Sequence, residues 1–387
     1  MIDYKYNLKE LISYFLKLGT TGFGGPVALV GYMHRDLVEQ RQWITEEEYR
    51  EGLALAQLAP GPLAAQLAIY LGYVHYRLLG ATLCGLAFVI PSFIMVVVLG
   101  MLYQLYGGLP WMQAVFYGVG AGVIGIIAMS AYKLTIKSVS KLNLPEIRKN
   151  WLLWIFYIAA IAITVITKTE QVLLFVVAGL IYMMMKAPPA WTKKKITTNC
   201  ILLGIGFWQF EWGSLGRMAW FFTKAGAFVF GSGLAIVPFL HGGVVTENQW
   251  LSETQFVDAV AVAMITPGPV VITVGFIGYL VAGFPGAVVA AAATFLPCYM
   301  FTILLAPSFK KIAKNASVKA FVDGITATVI GALVGAVIVI ALRSITDVPT
   351  ALIAIGSVLA LLYVKKLQEP FIILIAAILG LIIKIWV

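Results

Sequence analysis

The chain has 387 residues, of which 61% are hydrophobic and 11% charged, and its formal net charge is +10. A soluble domain carries about 25% charged residues, so an ordinary soluble fold is excluded and an all-α polytopic membrane protein is expected. The basic residues lie in short stretches beside apolar runs, where they set orientation in a membrane and do not form a nucleic-acid surface.

In chain order, the first apolar run covers about Leu11 to Met33 and contains Gly19, Gly22, Gly24, Gly25 and Pro26, so its middle is not a regular helix. Lys5, Lys9, Glu10 and Lys17 interrupt its start, and no small-residue cleavage site follows, so no cleavable signal peptide is expected. A polar stretch follows, and Thr45-Glu46-Glu47-Glu48 reads as a capping box that opens a helix. That helix meets Pro60-Gly61-Pro62 and restarts, with Pro62 suited to a first helical turn. Spans are expected over about Leu79–Tyr103, Trp111–Leu134, Trp151–Thr167 and Gln171–Met185, each near the length that crosses a bilayer core. The basic stretch that follows, with Pro188-Pro189 and Lys193-Lys194-Lys195, reads as a cytoplasmic linker, and Ile201–Trp212 as a short interfacial segment. The second half offers about Met218–Leu240, a broken pair around Pro267-Gly268-Pro269, then Phe284–Ala306, Val318–Leu342, Thr350–Val364 and Phe371–Trp386.

The two halves are copies. Phe15 to Pro62 aligns with Phe222 to Pro269 at a constant offset of 207 residues, with 17 of 48 positions identical. Lys17 lies over Lys224, Gly24 over Gly231, Trp43 over Trp250, and Pro60-Gly61-Pro62 over Pro267-Gly268-Pro269. At an offset of 206 the match continues, with Gly72-Tyr73 over Gly278-Tyr279 and Gly118 over Gly324. The expected organisation is a first transmembrane repeat over 1–185, a linker over 186–204 and a second repeat over 205–387. If each Pro-Gly-Pro is the tip of a re-entrant helical hairpin, each half has five full spans and the second half is inverted. Counting on that basis puts 20 of the 27 basic residues inside and both termini outside.

Inverted repeats with broken helices are the pattern of secondary transporters. A restarted helix exposes unpaired N–H groups and the positive end of its dipole, which together bind anions. The candidate site therefore gathers Pro60, Gly61 and Pro62 with Pro267, Gly268 and Pro269, flanked by Gln57 and Gln66 in one half and Thr266 and Thr273 in the other. The alternative is a tight turn between packed helices. Lys17 and Lys224 are cations within apolar runs, suited either to a dianion or to snorkelling. Phe23, Gly24 and Gly25, with Phe230, Gly231, Ser232 and Gly233, form either an anion-binding nest or a close-packing surface. Glu51 and Asp258 are equivalent acids, His34 and His241 equivalent loop residues, and Trp43 and Trp250 interface anchors. No catalytic, nucleotide, metal or cofactor motif occurs, so the chain is read as a non-enzyme without cofactors.

The Lys-x-Gly at Lys17 and Lys224, Phe23-Gly24-Gly25-Pro26, Trp43 and the twin Pro-Gly-Pro motifs resemble the chromate transporter family in its long, two-repeat form. The second copy departs from the first, with Ser232-Gly233 in place of Gly25-Pro26. The resemblance implies export of a tetrahedral oxyanion across the inner membrane of a bacterium or archaeon and chromate resistance. The partners it implies are a small oxyanion (chromate, or sulfate by mimicry) and the lipid bilayer, with a homodimer left open. Membrane potential or ion exchange would drive it. The alternatives are a transporter of sulfate or another small anion, and a membrane-embedded enzyme.

Overall fold

A computed structural model describes residues 6–23, 25–139, 143–168, 172–189, 213–229, 233–309, 315–364 and 367–386, and every regular element among them is helical. The first half forms α1 (Leu8–Thr21), α2 (Gly25–Met33) continued by a π-helical stretch (His34–Gln40), α3 (Glu46–Leu58), α4 (Leu63–Tyr106), α5 (Pro110–Ser138), α6 (Leu144–Lys149), α7 (Trp151–Thr167) and α8 (Val172–Lys186). The second forms α9 (Ser214–Ala227), α10 (Val237–Leu240) continued by a π-helical stretch (His241–Glu247), α11 (Glu253–Ile265), α12 (Thr273–Leu305), α13 (Ala316–Ser344), α14 (Val348–Tyr363) and α15 (Glu369–Trp386). Among the described residues four segments, Leu63–Tyr106, Pro110–Ser138, Val270–Ser308 and Ala316–Ser344, are long and apolar enough to cross a membrane. This is the architecture of a multi-pass helical membrane protein.

Local chemistry sets the helix starts. The box expected at Thr45 forms, with Glu48 reaching back to the Thr45 amide, and Ser252 with Gln255 repeats it at the equivalent place. Asn7 with Glu10 and Asp347 with Thr350 cap α1 and α14 in the same way. α4 and α12 each break once, at Arg77 (φ 53°) and at Ala282–Gly283, so each has a short arm, 63–76 or 273–281, and a long outer helix.

The runs Leu11–Met33 and Met218–Leu240, expected as single spans, fold back on themselves. The Tyr14 hydroxyl donates to Asp36 across 3.4 Å, the Arg41 guanidinium lies 5.4 Å from the Tyr14 ring centre, and Tyr6 stacks on Trp43. The base of α1 therefore sits beside the far end of the π-helical stretch. In the second copy Phe221 on α9 packs against Gly243 and Trp250. In the first copy glycines allow the turn: Gly25 takes a left-handed φ of 71°, and a side chain on Gly22 would meet Leu29 at 2.5 Å. Among the described residues each half thus has two hairpins in series, α1/α2 and α3 with the short arm of α4, or α9/α10 and α11 with the short arm of α12, followed by the outer helix of α4 or α12 and three more, α5, α7 and α8 or α13, α14 and α15, where one hairpin per half was expected.

The hairpin bases of the first half share one face. Tyr6 bonds to His75, the Tyr76 hydroxyl donates to the Tyr6 carbonyl at 2.8 Å, and His75 pairs with Glu48 at 3.1 Å. The bases of the second half meet the opposite end of the bundle, where Glu253 pairs with Arg343 and Tyr103 with Asp258. The outer helices of α4 and α12 run antiparallel between these ends, with Thr82 at 2.7 Å from Tyr299 and Phe93 against Phe284, and Gly100 then lies against Tyr279 of the short arm of α12. The N-terminus of α1 thus shares a face with Arg41, Arg50 and Arg77, in contrast to the expectation that it lies across the membrane from them. α15 carries Lys384 to the other face, over the Tyr117 ring at 4.8 Å.

The halves interlock. α5 packs against α14 and α15, where glycines let backbones touch: Gly118 against Gly380 and Gly125 against Ala354. α13 packs in turn against α7 and α8, with Gly331 against Tyr157 and Gly324 against Gly179. Each half's longest unbroken helix is therefore flanked by the last two helices of the other half.

Candidate functional site

The four hairpin tips meet across the seam by a pair of equivalent hydrogen bonds. The Gly61 amide donates to the Val229 carbonyl at 2.6 Å, and the Gly268 amide donates to the Gly22 carbonyl at 2.9 Å. Gly61 and Gly268 are repeat equivalents, as are Gly22 and Val229, so the two bonds are copies of each other. Each Pro-Gly-Pro of one half is thus clasped to the turn of the first hairpin in the other half. Both glycines hold conformations that side chains resist, at φ 143° and 101°. Gly268 is also tightly enclosed: a Cβ there would lie 2.0 Å from the Ser92 Oγ, which itself donates to the Gly19 carbonyl at 3.2 Å. Gly61 abuts Gln66 and Cys298.

Just past each tip a helix restarts inside the protein. Leu63, Ala64 and Ala65 open α4, are buried, and among the described residues their amides have no backbone acceptor; Gln66 is the first to bond back, to Pro62. In the second half Val270 and Val271 follow Pro269, both buried, and Ile272 bonds back to Pro269. Such first-turn N–H groups need a partner from outside the helix. Gly233 leaves room beside the Val271 amide, 3.6 Å from where its own Cβ would stand.

Three of the four flanking polar side chains are buried. Thr266 and Thr273 are buried and give their hydroxyl protons to the carbonyls of Val262 and Val270, at 2.6 and 2.7 Å. Gln66 is fully buried and donates to the Pro60 carbonyl at 2.8 Å, while its Oε1 has no partner among the described residues. Gln57 is exposed. The structure thus brings Pro60, Gly61, Pro62, Pro267, Gly268 and Pro269 together with the residues beside the Phe-Gly turns. Phe23 is partly exposed at such a turn, next to Leu102, Tyr103 and Phe371. Gly24, Phe230, Gly231 and Ser232 lie outside the described residues, as do 190–212.

The two lysines lie apart from the tips. Lys17 is exposed and lines a groove of about 340 Å³ with Lys9, Glu10, Tyr14, Arg41 and Trp43 at the first-half base. Lys224 is exposed, its ammonium 5.7 Å from the Trp220 ring centre. Three features escaped the sequence. His34 and His241 open π-helical stretches and make matching 2.8 Å contacts to Glu46 and Glu253, so each ties one hairpin to the next. Glu369, at the start of α15, places its carboxylate 3.8 Å from the Cβ position of Gly25, with Lys133 within electrostatic reach. Asp258 is 3% exposed and accepts a 2.7 Å bond from the Tyr103 hydroxyl. The equivalence of Glu51 and Asp258 pointed to the position, but its partner lies in the other half. Among the described residues no three His, Cys, Asp or Glu side chains cluster as a metal would need.

Two copies of one helical plan, whose hairpin tips meet at a seam, define the class: a multi-pass helical membrane protein built from two repeats. The chain belongs to the chromate transporter family, whose model matches residues 9–183 and again 216–381. It is 63% identical over 382 residues to a chromate transport protein of Cupriavidus metallidurans, an alignment covering 97% of this chain and 93% of that one. It is 58% identical over 384 residues to a probable chromate transport protein of Synechococcus elongatus, covering 97% and 96%. A chromate transport protein of Pseudomonas aeruginosa is 28% identical over 390 residues, covering 96% and 91%. No solved structure matches the chain. The relatives are transport proteins, and the chain is a transporter and not an enzyme.

Proposed function

We propose that the protein moves chromate out of the cell across an inner membrane, through a site shared by the two crossed Pro-Gly-Pro tips. The observation that carries this reading is the buried pair of helix starts, Leu63–Ala65 and Val270–Val271, held at the seam by the Gly61 and Gly268 bonds. Amides and dipole ends of this kind suit a tetrahedral dianion. The relatives' names supply chromate as that dianion. Sulfate has the same charge and shape and is the natural competitor.

The repeats are read as inverted, with first-half hairpins entering from one side and second-half hairpins from the other. Arg41, Arg50, Arg77, Lys137 and Lys186 mark the first side as cytoplasmic by the positive-inside rule. The N-terminus is then inside and the C-terminus outside. The Lys9–Lys17–Arg41 groove faces the cytoplasm and concentrates dianions at the entrance. This orientation is tested in a Cys200→Ser background. Gln40→Cys should react with an impermeant maleimide only in inverted vesicles, and Thr346→Cys only in right-side-out ones. Labelling of both from one side would refute it. The function is tested by chromate uptake into inverted vesicles. Uptake above that of vesicles lacking the protein, reduced by excess sulfate, is expected; equal uptake would refute the reading.

A further inference from the structure

A polar cavity of about 450 Å³ opens at the second-half end of the bundle, away from the anion tips. Its mouth carries exposed Gln113, Arg343 and Thr346, and its floor is formed by buried Gly120, Val257 and Asp258. Arg343 is engaged by Glu253, whose other oxygen meets His241. Asp258 is different. It lies at 3% exposure, and among the described residues its one hydrogen-bonding partner is the Tyr103 hydroxyl, with no basic nitrogen within ion-pair distance. A buried carboxylate within a membrane protein, with no cation beside it, is costly as an anion and stable as an acid. Here it also has a polar path to one side.

We infer that Asp258 is a proton-binding site, loaded through this cavity, which couples chromate export to proton entry. The inference rests on the transport reading above. The bond between Asp258 and Tyr103 joins α11 of the second half to α4 of the first, so it spans the seam that must shear when access alternates. α11 runs from Asp258 to the Pro267 tip, about 13 Å along the helix at 1.5 Å per residue. The outer helix of α4 runs from Tyr103 back to Ser92, which touches Gly268. Proton and anion sites thus share two elements. A charged Asp258 holds the open, wet cavity; a protonated one tolerates its closure. One proton carried inward accompanies one chromate carried outward.

The other groups facing this region are accounted for. Tyr117 on α5 donates to Asp347 at 2.7 Å, Lys384 on α15 lies over Tyr117, and Glu253, Arg343 and His241 pair among themselves. None of them leaves a lone buried acid. In the first half Glu51 accepts from Tyr70 at 3.3 Å and is only partly buried, so the two copies are not equivalent in this respect.

The test uses the full chain in proteoliposomes. With one proton per chromate, a transmembrane difference of one pH unit changes the chromate accumulation ratio tenfold, because one unit is worth 1.36 kcal/mol per proton. The wild type should show that dependence, Asp258→Asn should lose it, and Asp258→Glu should keep it. The readout is the ratio of accumulation with and without the pH difference, so a general loss of protein does not imitate it. Chromate movement without any pH dependence in the wild type, or equal dependence in Asp258→Asn, overturns the inference. A second readout needs no chromate. A hydrophobic carbodiimide, which attacks protonated carboxyl groups, should label Asp258 at neutral pH and fail at alkaline pH. Absence of labelling at every pH also overturns it. If chromate is not moved at all, the transport reading fails, and the labelling decides the proton site on its own.

Discussion

Gly268→Ala should abolish chromate flux. Three penalties fall on one methyl group. Gly268 sits at φ 101°, where an L-residue pays about 1–2 kcal/mol. The new Cβ would stand 2.0 Å from the Ser92 Oγ, and relieving such overpacking costs about 1–3 kcal/mol. Any shift that relieves the clash draws the amide away from the Gly22 carbonyl and forfeits about 1 kcal/mol more. The same backbone movement displaces the start of the restarted helix. Gly61→Ala should act in the same direction with a smaller steric part, because its near neighbours are Gln66 and Cys298 side chains, the closest at 2.7 Å. Flux in vesicles, normalised to folded protein by size-exclusion chromatography, separates loss of transport from loss of folding. Ser92→Ala combined with Gly268→Ala should recover part of the stability by removing the clashing oxygen. A Gly268→Ala protein with normal flux would show that the tip is only a turn.

Charge at the groove beside Lys17 should set the affinity for the anion. Lys17 shares that groove with Lys9 and Arg41, opposed by Glu10. A single cation about 8 Å from a dianion contributes about 1 kcal/mol in water, or about fivefold in half-saturating chromate. Lys17→Gln should therefore raise that concentration about fivefold. Lys17→Glu should raise it about twenty-fivefold, since reversal doubles the change. Both effects should shrink as salt rises, because the Debye length falls to about 8 Å at physiological ionic strength. A lysine that merely snorkels would leave both variants close to wild type at every salt concentration. The maximal rate is the control, and it should change little, because the groove lies apart from the tips.

The sequence carried the tips more clearly than the path to them. Pro60-Gly61-Pro62 and Pro267-Gly268-Pro269 were readable because proline and glycine act locally, and because the repeat showed each motif twice. The capping box at Thr45 was readable for the same reason. The first hairpin was not. Leu11–Met33 has the length and polarity of a crossing, and hydropathy does not tell a straight span from one that folds back at Gly22–Gly25. On the orientation proposed above, folding back there changes the parity of crossings and puts the N-terminus on the cytoplasmic side. Long-range partners were beyond reach too: Tyr103 with Asp258, Glu253 with Arg343, and Glu369 with Gly25 come together through packing between halves. The interlocked placement of α5 and α13 was equally hidden, since the glycines on each match backbones far away in the chain, such as Gly118 with Gly380 and Gly331 with Tyr157.

A dianion crossing a membrane at 100 mV changes its free energy by about 4.6 kcal/mol, twice the value for one charge. That is a concentration ratio of about two thousand from the anion's own charge alone, before the proton inferred at Asp258 adds a third charge to each cycle. The most direct measurement is therefore chromate uptake into inverted-orientation proteoliposomes under an imposed potassium diffusion potential at equal pH on both sides. Chromate should accumulate when the lumen is positive, reverse when the lumen is negative, and equilibrate when the potential is collapsed, and Gly268→Ala should show none of these. Accumulation that ignores the potential, or that survives unchanged in Gly268→Ala, would contradict a dianion passing through the crossed hairpin tips.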